Sequence, residues 1–452
     1  MPSERLVVIG GVAAGLSAAS RARALNPKME IVVLEKGDFI SYGACGLTYL
    51  VSGIVRDPAE LVVYTPEYLR DRRGLYVFTR HQALEIIPGK KQVQVRRGDE
   101  IVSMNYDKLV LATGGAPAET IPGADAPGVF TCNDLAGALA LRDFLQTRRP
   151  QRGVVIGGGY IGLEAAEALR LRNLHVTVLE RSGHLLEDFE PEIGQWVSER
   201  LKQHQVRVEL GAAVRHLDAA PDGSLVVSYG ERSVLHADVV VLAAGLIPRS
   251  ELAARAGIEL GASGAIRTDN RQQTSLPGVY AAGDCVETLH LVTGSPVYVP
   301  LGTTANKQGR VAGENAAGGN ATFPGIVGTL VTKVFELEVA RTGLSWAGAR
   351  AAGFQPEQVR LDSRSQAKYL GGKPLRVSLV ADRPSGRLLG GQLVSEEGAA
   401  RRVDVVATAL SARMTVADFA HLDLGYAPPF GPVYDPLLIA AWQLLKKIGR
   451  RR

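Results

Sequence analysis

Apolar residues in the N-terminal part of the chain fall in short unbroken runs, each followed by glycine. Leu6 to Ile9 is one such run, the pattern of a parallel strand covered on both faces. It leads into Gly10-Gly11-Val12-Ala13-Ala14-Gly15 and an alanine-rich stretch that predicts a helix through Leu25, and a second strand, Ile31 to Leu34, ends at Glu35. The phrase returns later in the chain: a strand over Gly153 to Ile156, glycines at 157, 158, 159 and 162, a helix over Leu163 to Leu171, a strand over Val176 to Leu179, and Glu180. Each unit is followed by a further buried run ending in small residues, Tyr106 to Gly114 and Asp238 to Ile247. The glycine- and alanine-rich stretch from Ala312 to Thr322, with Pro324, reads as a boundary. Beyond it Lys333 to Val339, Leu375 to Val380 and Arg387 to Val394 predict strands, Arg401 to Arg413 a helix, and a last helix runs through Ile448. The fold class is α/β: two Rossmann-like dinucleotide-binding domains and a C-terminal α+β domain.

Composition narrows the chemistry. The 452 residues carry 51 Lys+Arg and 46 Asp+Glu, a net charge of +5, a small excess that suits nucleotides as well as nucleic acid. Cys45, Cys132 and Cys285 are an odd number without a CxxC pair or zinc-type spacing, so neither a disulfide framework nor a metal site is expected, and a reducing cytoplasm is the default compartment. No signal peptide precedes Leu6, and the longest apolar run, Val239 to Pro248, is too short to span a bilayer. The basic tail from Lys446 to Arg452 reads as a solvated end.

Gly157, Gly159 and Gly162 form a full GxGxxG between strand and helix, and Glu180 lies eighteen residues past the last glycine. Glycines there let the backbone approach a pyrophosphate at a helix N-terminus, and the carboxylate holds a ribose 2′-hydroxyl. Glu180 disfavours a 2′-phosphate, so NADH is the expected donor, with Arg181 beside it leaving NADPH possible. The first unit has Val12 at the middle glycine position but keeps an acid, Glu35. Thr113-Gly114 and the run from Leu276 to Ala282-Gly283-Asp284 add a second nucleotide site, assigned to FAD. Two dinucleotide sites in one chain imply hydride transfer between them.

Cys45 lies ten residues past Glu35 and just before the helical stretch Leu47 to Val51. A helix N-terminus there should favour the thiolate. The residues that follow are Gly46, Leu47, Thr48 and Tyr49, so no second cysteine can close an internal disulfide, and the redox partner is external sulfur or oxygen. Cys132 and Cys285 read as structural.

From Leu6 to about Ala441 the chain resembles the pyridine nucleotide-disulfide oxidoreductases, and within them the single-cysteine branch of CoA-disulfide reductases, NADH oxidases and NADH peroxidases. The resemblance rests on Gly10 to Gly15, Ser41-Tyr42-Gly43-Ala44-Cys45-Gly46-Leu47, Ala282-Gly283-Asp284, and Tyr426-Ala427-Pro428-Pro429-Phe430 with Asp435-Pro436. It implies a discontinuous FAD domain (1–117 and 248–324), an inserted NAD(P)H domain (118–247) and a dimerisation domain (325–452). It places FAD on Gly10, Gly11, Ala14, Gly15, Glu35, Lys36, Ala83, Thr113, Gly114 and Asp284. NAD(P)H falls on Gly157, Gly159, Tyr160, Ile161, Gly162, Glu180 and Gly245. Coenzyme A falls on Ser17, Arg21, Ser41, Arg73 and Asn306, with Arg23 and Arg72 adding cationic surface.

The resemblance further implies a homodimer in which Tyr426 reaches the Cys45 of the partner subunit and assists the leaving CoA thiolate. Peroxidase-type members carry a histidine where this chain has Ala13. Lys368-Tyr369 stands where relatives have two tyrosines, and Thr48 where they have proline. The implied reaction reduces a small-molecule disulfide through a Cys45–CoA mixed disulfide, using NADH and FAD. Alternatives are a CoA-dependent persulfide or polysulfide reductase, an NADH oxidase cycling through Cys45 sulfenic acid, and a flavoprotein serving a protein acceptor. No nucleic acid, membrane or metal partner is expected.

Overall fold

The computed structural model describes residues 4–118 and 121–449; the basic tail at 450–452 lies outside them. Arg5–Ile9 pairs in parallel with Glu30–Leu34 on one side and Lys108–Leu111 on the other. Val279–Ala281 and Tyr76–Phe78 complete a five-stranded sheet at its two edges. The second unit repeats the arrangement: Arg152–Ile156 lies between His175–Glu180 and Val239–Leu242, with Arg207–Leu210 and Val129–Thr131 outermost.

The repeat extends further than the apolar runs disclose. In both units a three-stranded antiparallel meander precedes the closing strand: His81–Ile87, Gln92–Arg97 and Glu100–Asn105 in the first, Val214–Ala219, Leu225–Tyr229 and Ser233–Ala237 in the second. Gly115–Pro117 pairs antiparallel with Leu246–Pro248, so the chain passes between the two sheets through a narrow two-stranded link.

The helix Ala13–Leu25 packs along the helix Gly302–Ala316 at a separation that tolerates no side chain at two positions. A Cβ on Gly309 would lie 2.2 Å from the Ala14 carbonyl oxygen, and one on Gly313 2.0 Å from that of Ala18. Leu6, Ala18, Ala22, Ala312 and Ala316 bury the rest of this contact. The stretch from Ala312 therefore begins as helix and not as a boundary: its glycine and alanines serve close packing, and irregular chain starts only after Ala316.

The C-terminal region forms an antiparallel sheet in the order Leu330–Val334, Leu337–Gly343, Leu388–Ser395, Pro374–Asp382, Pro356–Arg364. The helices Ala399–Ser411 and Pro436–Gly449 share its core through Val403, Val406, Leu410, Leu437 and Leu444 against Leu379 and Leu393. Lys333 to Val339 is not one strand. Phe335 adopts φ 52° and the chain reverses there, giving a hairpin in place of a single strand; with neither Gly nor Asn at the turn, the usual signal is missing.

Candidate functional site

The two glycine loops are superposable in their contacts. Gly10 has φ 113° and Gly157 φ 109°, and a Cβ on either would strike the carbonyl oxygen of Ala112 (2.1 Å) or Ala243 (2.4 Å). A Cβ on Gly15 would lie 1.8 Å from Gly10 O, and one on Gly162 2.0 Å from Gly157 O. Glu35 accepts the N–H groups of Gly11 and Gly37, both at 2.8 Å; Glu180 accepts those of Gly158 at 2.6 Å and Ser182 at 2.7 Å. The middle positions differ. A Cβ on Gly159 would meet no protein atom within 4 Å among the described residues, whereas Val12 caps the first helix.

A flavin dinucleotide fits the first cradle. Gln308, 1% exposed, accepts the Gly283 N–H at 2.9 Å through Oε1, while its Nε2 is a buried donor with no acceptor among the described residues. Thr113 Oγ1 donates to Arg249 O at 2.6 Å and Arg249 N–H to Gly114 O at 2.9 Å, tying this strand end to the link between the sheets. Burial pushes the Asp284 carboxyl up from the usual range. Ala14 lies on the first helix against Gly283. Lys36 is exposed, its pKa lowered by burial and by Arg249, and Ala83 sits in the meander against the sheet core. Gln308 carried no sequence signal, because its role depends on the approach of Gly283.

In the second unit Tyr160 opens the helix Tyr160–Leu171, with Ile161 and Gly162 in its first turn; the helix begins earlier than the expected Leu163. Burial, then the charges of Asp284, Glu164 and Cys45, push the Tyr160 hydroxyl to about 12. Tyr160 thus lies within electrostatic reach of Asp284 and Cys45. Gly245, at φ 102°, accepts the Ala118 N–H at 2.9 Å in the two-stranded link.

Cys45 is the exposed cysteine; Cys132 and Cys285 are buried. It occupies a 3₁₀ turn, Ala44–Gly46, that runs into the helix Leu47–Ser52. Its thiol is pushed up, not down: burial by the surrounding chain comes first, then the negative charges of Glu164 and Asp284, and these outweigh its backbone hydrogen bond. The expectation of a thiolate favoured by the helix is thus corrected for the protein portion of the site. The helix has six residues, and two carboxyl groups oppose its partial charge.

Ser17 Oγ donates to Asn306 Oδ1 at 2.9 Å, and Arg21 is paired with Glu314 at 2.6 Å, so three of the candidate coenzyme A residues meet on the two facing helices. Arg21 is accordingly not a free cation. Arg73 donates to Tyr64 OH at 2.9 Å with its guanidinium 4.6 Å above that ring, which stacks on Tyr68. Arg23 donates to Pro27 O and Gly74 O, and Arg72 is exposed. Ser41, at φ 51°, places its N–H on Gly11 O at 3.0 Å, a strained conformation held between the first glycine loop and Cys45.

Tyr426 is 49% exposed, and Phe430, Val433 and Tyr434 in the same segment are exposed as well, as is Tyr369 earlier in the C-terminal region. Lys368 and Tyr369 belong to a 3₁₀ turn, Lys368–Leu370, joined to this stretch by Ala367 N–H to Pro428 O at 3.3 Å. Arg402, 9% exposed, holds the segment by donating to Ser365 O at 2.9 Å, Phe430 O at 3.1 Å and Asp435 Oδ2 at 2.9 Å. Among the described residues no cluster of His, Cys, Asp and Glu is built for a metal, and no helix is long and apolar enough to cross a membrane.

The structure thus holds two glycine loops, each closed by its own carboxylate, and one exposed cysteine. The chain belongs to the pyridine nucleotide-disulphide oxidoreductase family, whose model matches residues 4–309, with the family's dimerisation domain matching 330–436. Members use FAD and NAD(P)H. It is 39% identical over 440 residues to the CoA-dependent NAD(P)H sulfur oxidoreductase of Pyrococcus abyssi, covering 96% of this chain and 97% of the relative. It is 29% identical over 435 residues to the coenzyme A disulfide reductase of Staphylococcus aureus, covering 95% and 97%. Among solved structures, the NAD-dependent persulfide reductase from A. fulgidus matches with a TM-score of 0.95 at 38% identity, covering 98% of this chain and 83% of that one.

Proposed function

We propose that the protein is an NAD(P)H-dependent reductase of sulfur–sulfur bonds attached to coenzyme A, a CoA disulfide or the corresponding CoA persulfide, acting through Cys45. The observation that carries this reading is the setting of Cys45, exposed, without a neighbouring cysteine, and within electrostatic reach of Asp284 from the first nucleotide unit and Tyr160 from the second. The names of the relatives support the acceptor class.

FAD, when bound, passes an electron pair from the nicotinamide donor to sulfur. The Cys45 thiolate attacks a sulfur of the CoA disulfide: a Cys45–CoA disulfide forms, the old S–S bond breaks, and the first CoA leaves as thiolate and takes a proton. Two electrons then cleave the mixed disulfide, releasing the second CoA and restoring Cys45. Glu35 and Glu180 hold the two nucleotide loops open by fixing Gly11 and Gly158. Ser17, Arg21, Ser41, Arg73 and Asn306 form the proposed coenzyme A surface, and Tyr426 donates a hydrogen bond to the leaving thiolate across a homodimer interface made by the exposed aromatic stretch.

The test is anaerobic NADH oxidation by the FAD-loaded protein on adding CoA disulfide or CoA persulfide, with Cys45→Ser alongside. Turnover in the wild type that is lost in the variant supports the reading, and the variant still reduces oxygen slowly because that needs only the flavin. Flavin reduction without acceptor turnover in the wild type overturns it.

A further inference from the structure

The loop that carries Cys45 leads, through backbone pairing, to an aromatic shelf that the proposed reaction does not use. Gly43 N–H donates to Leu61 O and Val63 N–H to Ser41 O, both at 2.8 Å. Tyr64 follows at once, partly buried against the core of the first nucleotide unit. The chain then enters the helix Pro66–Arg73, whose first turn carries Tyr68, 44% exposed. The rings of Tyr64 and Tyr68 stack with centroids 5.1 Å apart and 10° between their planes. From the far end of the helix Arg73 holds Tyr64, donating to its hydroxyl at 2.9 Å with the guanidinium 4.6 Å from the ring centroid. Tyr68 therefore presents ring surface to solvent in an orientation already fixed by its neighbours.

Guanidinium groups without counter-charge gather at the end of the same helix. The carbonyl of Gly74, next to Arg73, accepts from Arg23 at 2.8 Å, and Arg23 Nε is a buried donor with no acceptor among the described residues. No carboxylate among the described residues pairs with Arg23, Arg72 or Arg73. Asp71, in the last turn of the helix, is already paired with Arg70 at 2.7 Å. Guanidinium groups favour phosphate oxygens, and an aromatic ring held flat favours the face of a base. The two together fit a phosphorylated nucleoside.

We propose that Tyr68 is a specificity-determining residue for the sulfur substrate, its ring stacking on the adenine of coenzyme A while Arg23 and Arg73 take the phosphates beside it. The inference rests on the reading of the substrate as a CoA derivative, and it adds the residue that distinguishes that substrate from a disulfide bearing only the thiol arm. Because Tyr64 and Arg73 fix the shelf before anything binds, little side-chain freedom is lost on stacking.

The test compares CoA disulfide with pantethine, the disulfide of the same thiol arm without the nucleotide, in the FAD-loaded enzyme. Tyr68→Ala is expected to raise KM for CoA disulfide about tenfold at unchanged kcat and to leave KM for pantethine unchanged, while Tyr68→Phe keeps both at wild-type values. Calorimetric titration with adenosine 3′,5′-bisphosphate, with NAD⁺ saturating the second glycine loop, is expected to show the same loss of affinity of about tenfold in Tyr68→Ala. An unchanged KM for CoA disulfide, or equal rises for both disulfides, overturns the proposal. So does a wild type that does not bind the nucleotide or binds it no better than Tyr68→Ala. If pantethine is not turned over, the titration decides. If Tyr68→Ala does not fold, Tyr68→Leu, which covers Tyr64 without an aromatic face, decides by the same criteria. A wild type that binds the nucleotide through Tyr68 yet turns over neither disulfide upholds the stacking site and fails the reductase reading, so the two failures are told apart.

Discussion

Glu180 is 8% exposed and accepts the Gly158 N–H at 2.6 Å, across the mouth of the second glycine loop. The carboxylate both shapes the loop and presents negative charge where the donor's ribose is proposed to bind. Glu180→Ala removes this bond and that to Ser182. The expected outcome is a KM for NADH raised about tenfold, from one or two lost charge-assisted bonds, with the ratio of NADPH to NADH activity increased. Steady-state kinetics with both donors checks it.

Gly309 tests the packing beneath the flavin loop. Its Cβ would lie 2.2 Å from the Ala14 carbonyl, a backbone atom that cannot rotate away. Gly309→Ala forces the two helices apart, costs about 1–3 kcal/mol as an overpacked contact, and carries Ala14 away from Gly283. The variant is expected to purify with less FAD than wild type, measured by flavin absorbance per protein.

The Arg402–Asp435 pair fixes the segment that bears Tyr426. Its side chains are 11% and 20% exposed, so Asp435→Asn leaves a largely buried guanidinium without its counter-charge, a loss of about 3 kcal/mol. A lowered urea midpoint together with a lower kcat for the disulfide is expected. A lowered midpoint with kcat intact would separate the segment from the chemistry.

Glu336 supplies the pH dependence. Burial raises its carboxyl, but hydrogen bonds from Arg200 and His204 outweigh that and hold it at about 2. These bonds tie the helix Pro191–Gln203 and the His204 that follows it to the C-terminal hairpin, where His204 also stacks on Phe335 at 3.7 Å. A carboxyl depressed on folding contributes stability above its unfolded value, near pH 4.5, and loses it as pH falls toward 2. The gap in melting temperature between wild type and Glu336→Gln is therefore expected to be present at about pH 6 and to close on acidification. It remains modest, because Glu336 is 58% exposed.

Much of the architecture was legible in residues that act locally. A buried parallel strand needs a continuous apolar run, and a loop that brings two backbones together needs glycine, so Leu6 to Gly15 and Gly153 to Gly162 announce both nucleotide units, and Glu35 and Glu180 follow at the next strand ends. The lone Cys45 and the absence of a second cysteine nearby were equally visible. What tertiary structure alone decided depends on residues distant in sequence. Ala312 to Ala316 stays helical because Gly313 must meet Ala18. Arg21 is neutralised by Glu314, and Gln308 turns its amide toward Gly283. Burial first, then Glu164 and Asp284, raise the Cys45 thiol against its own helix. Local sequence specifies backbone shape and the presence of a reactive group; the electrostatic field at that group is a sum over neighbours that only the folded chain assembles.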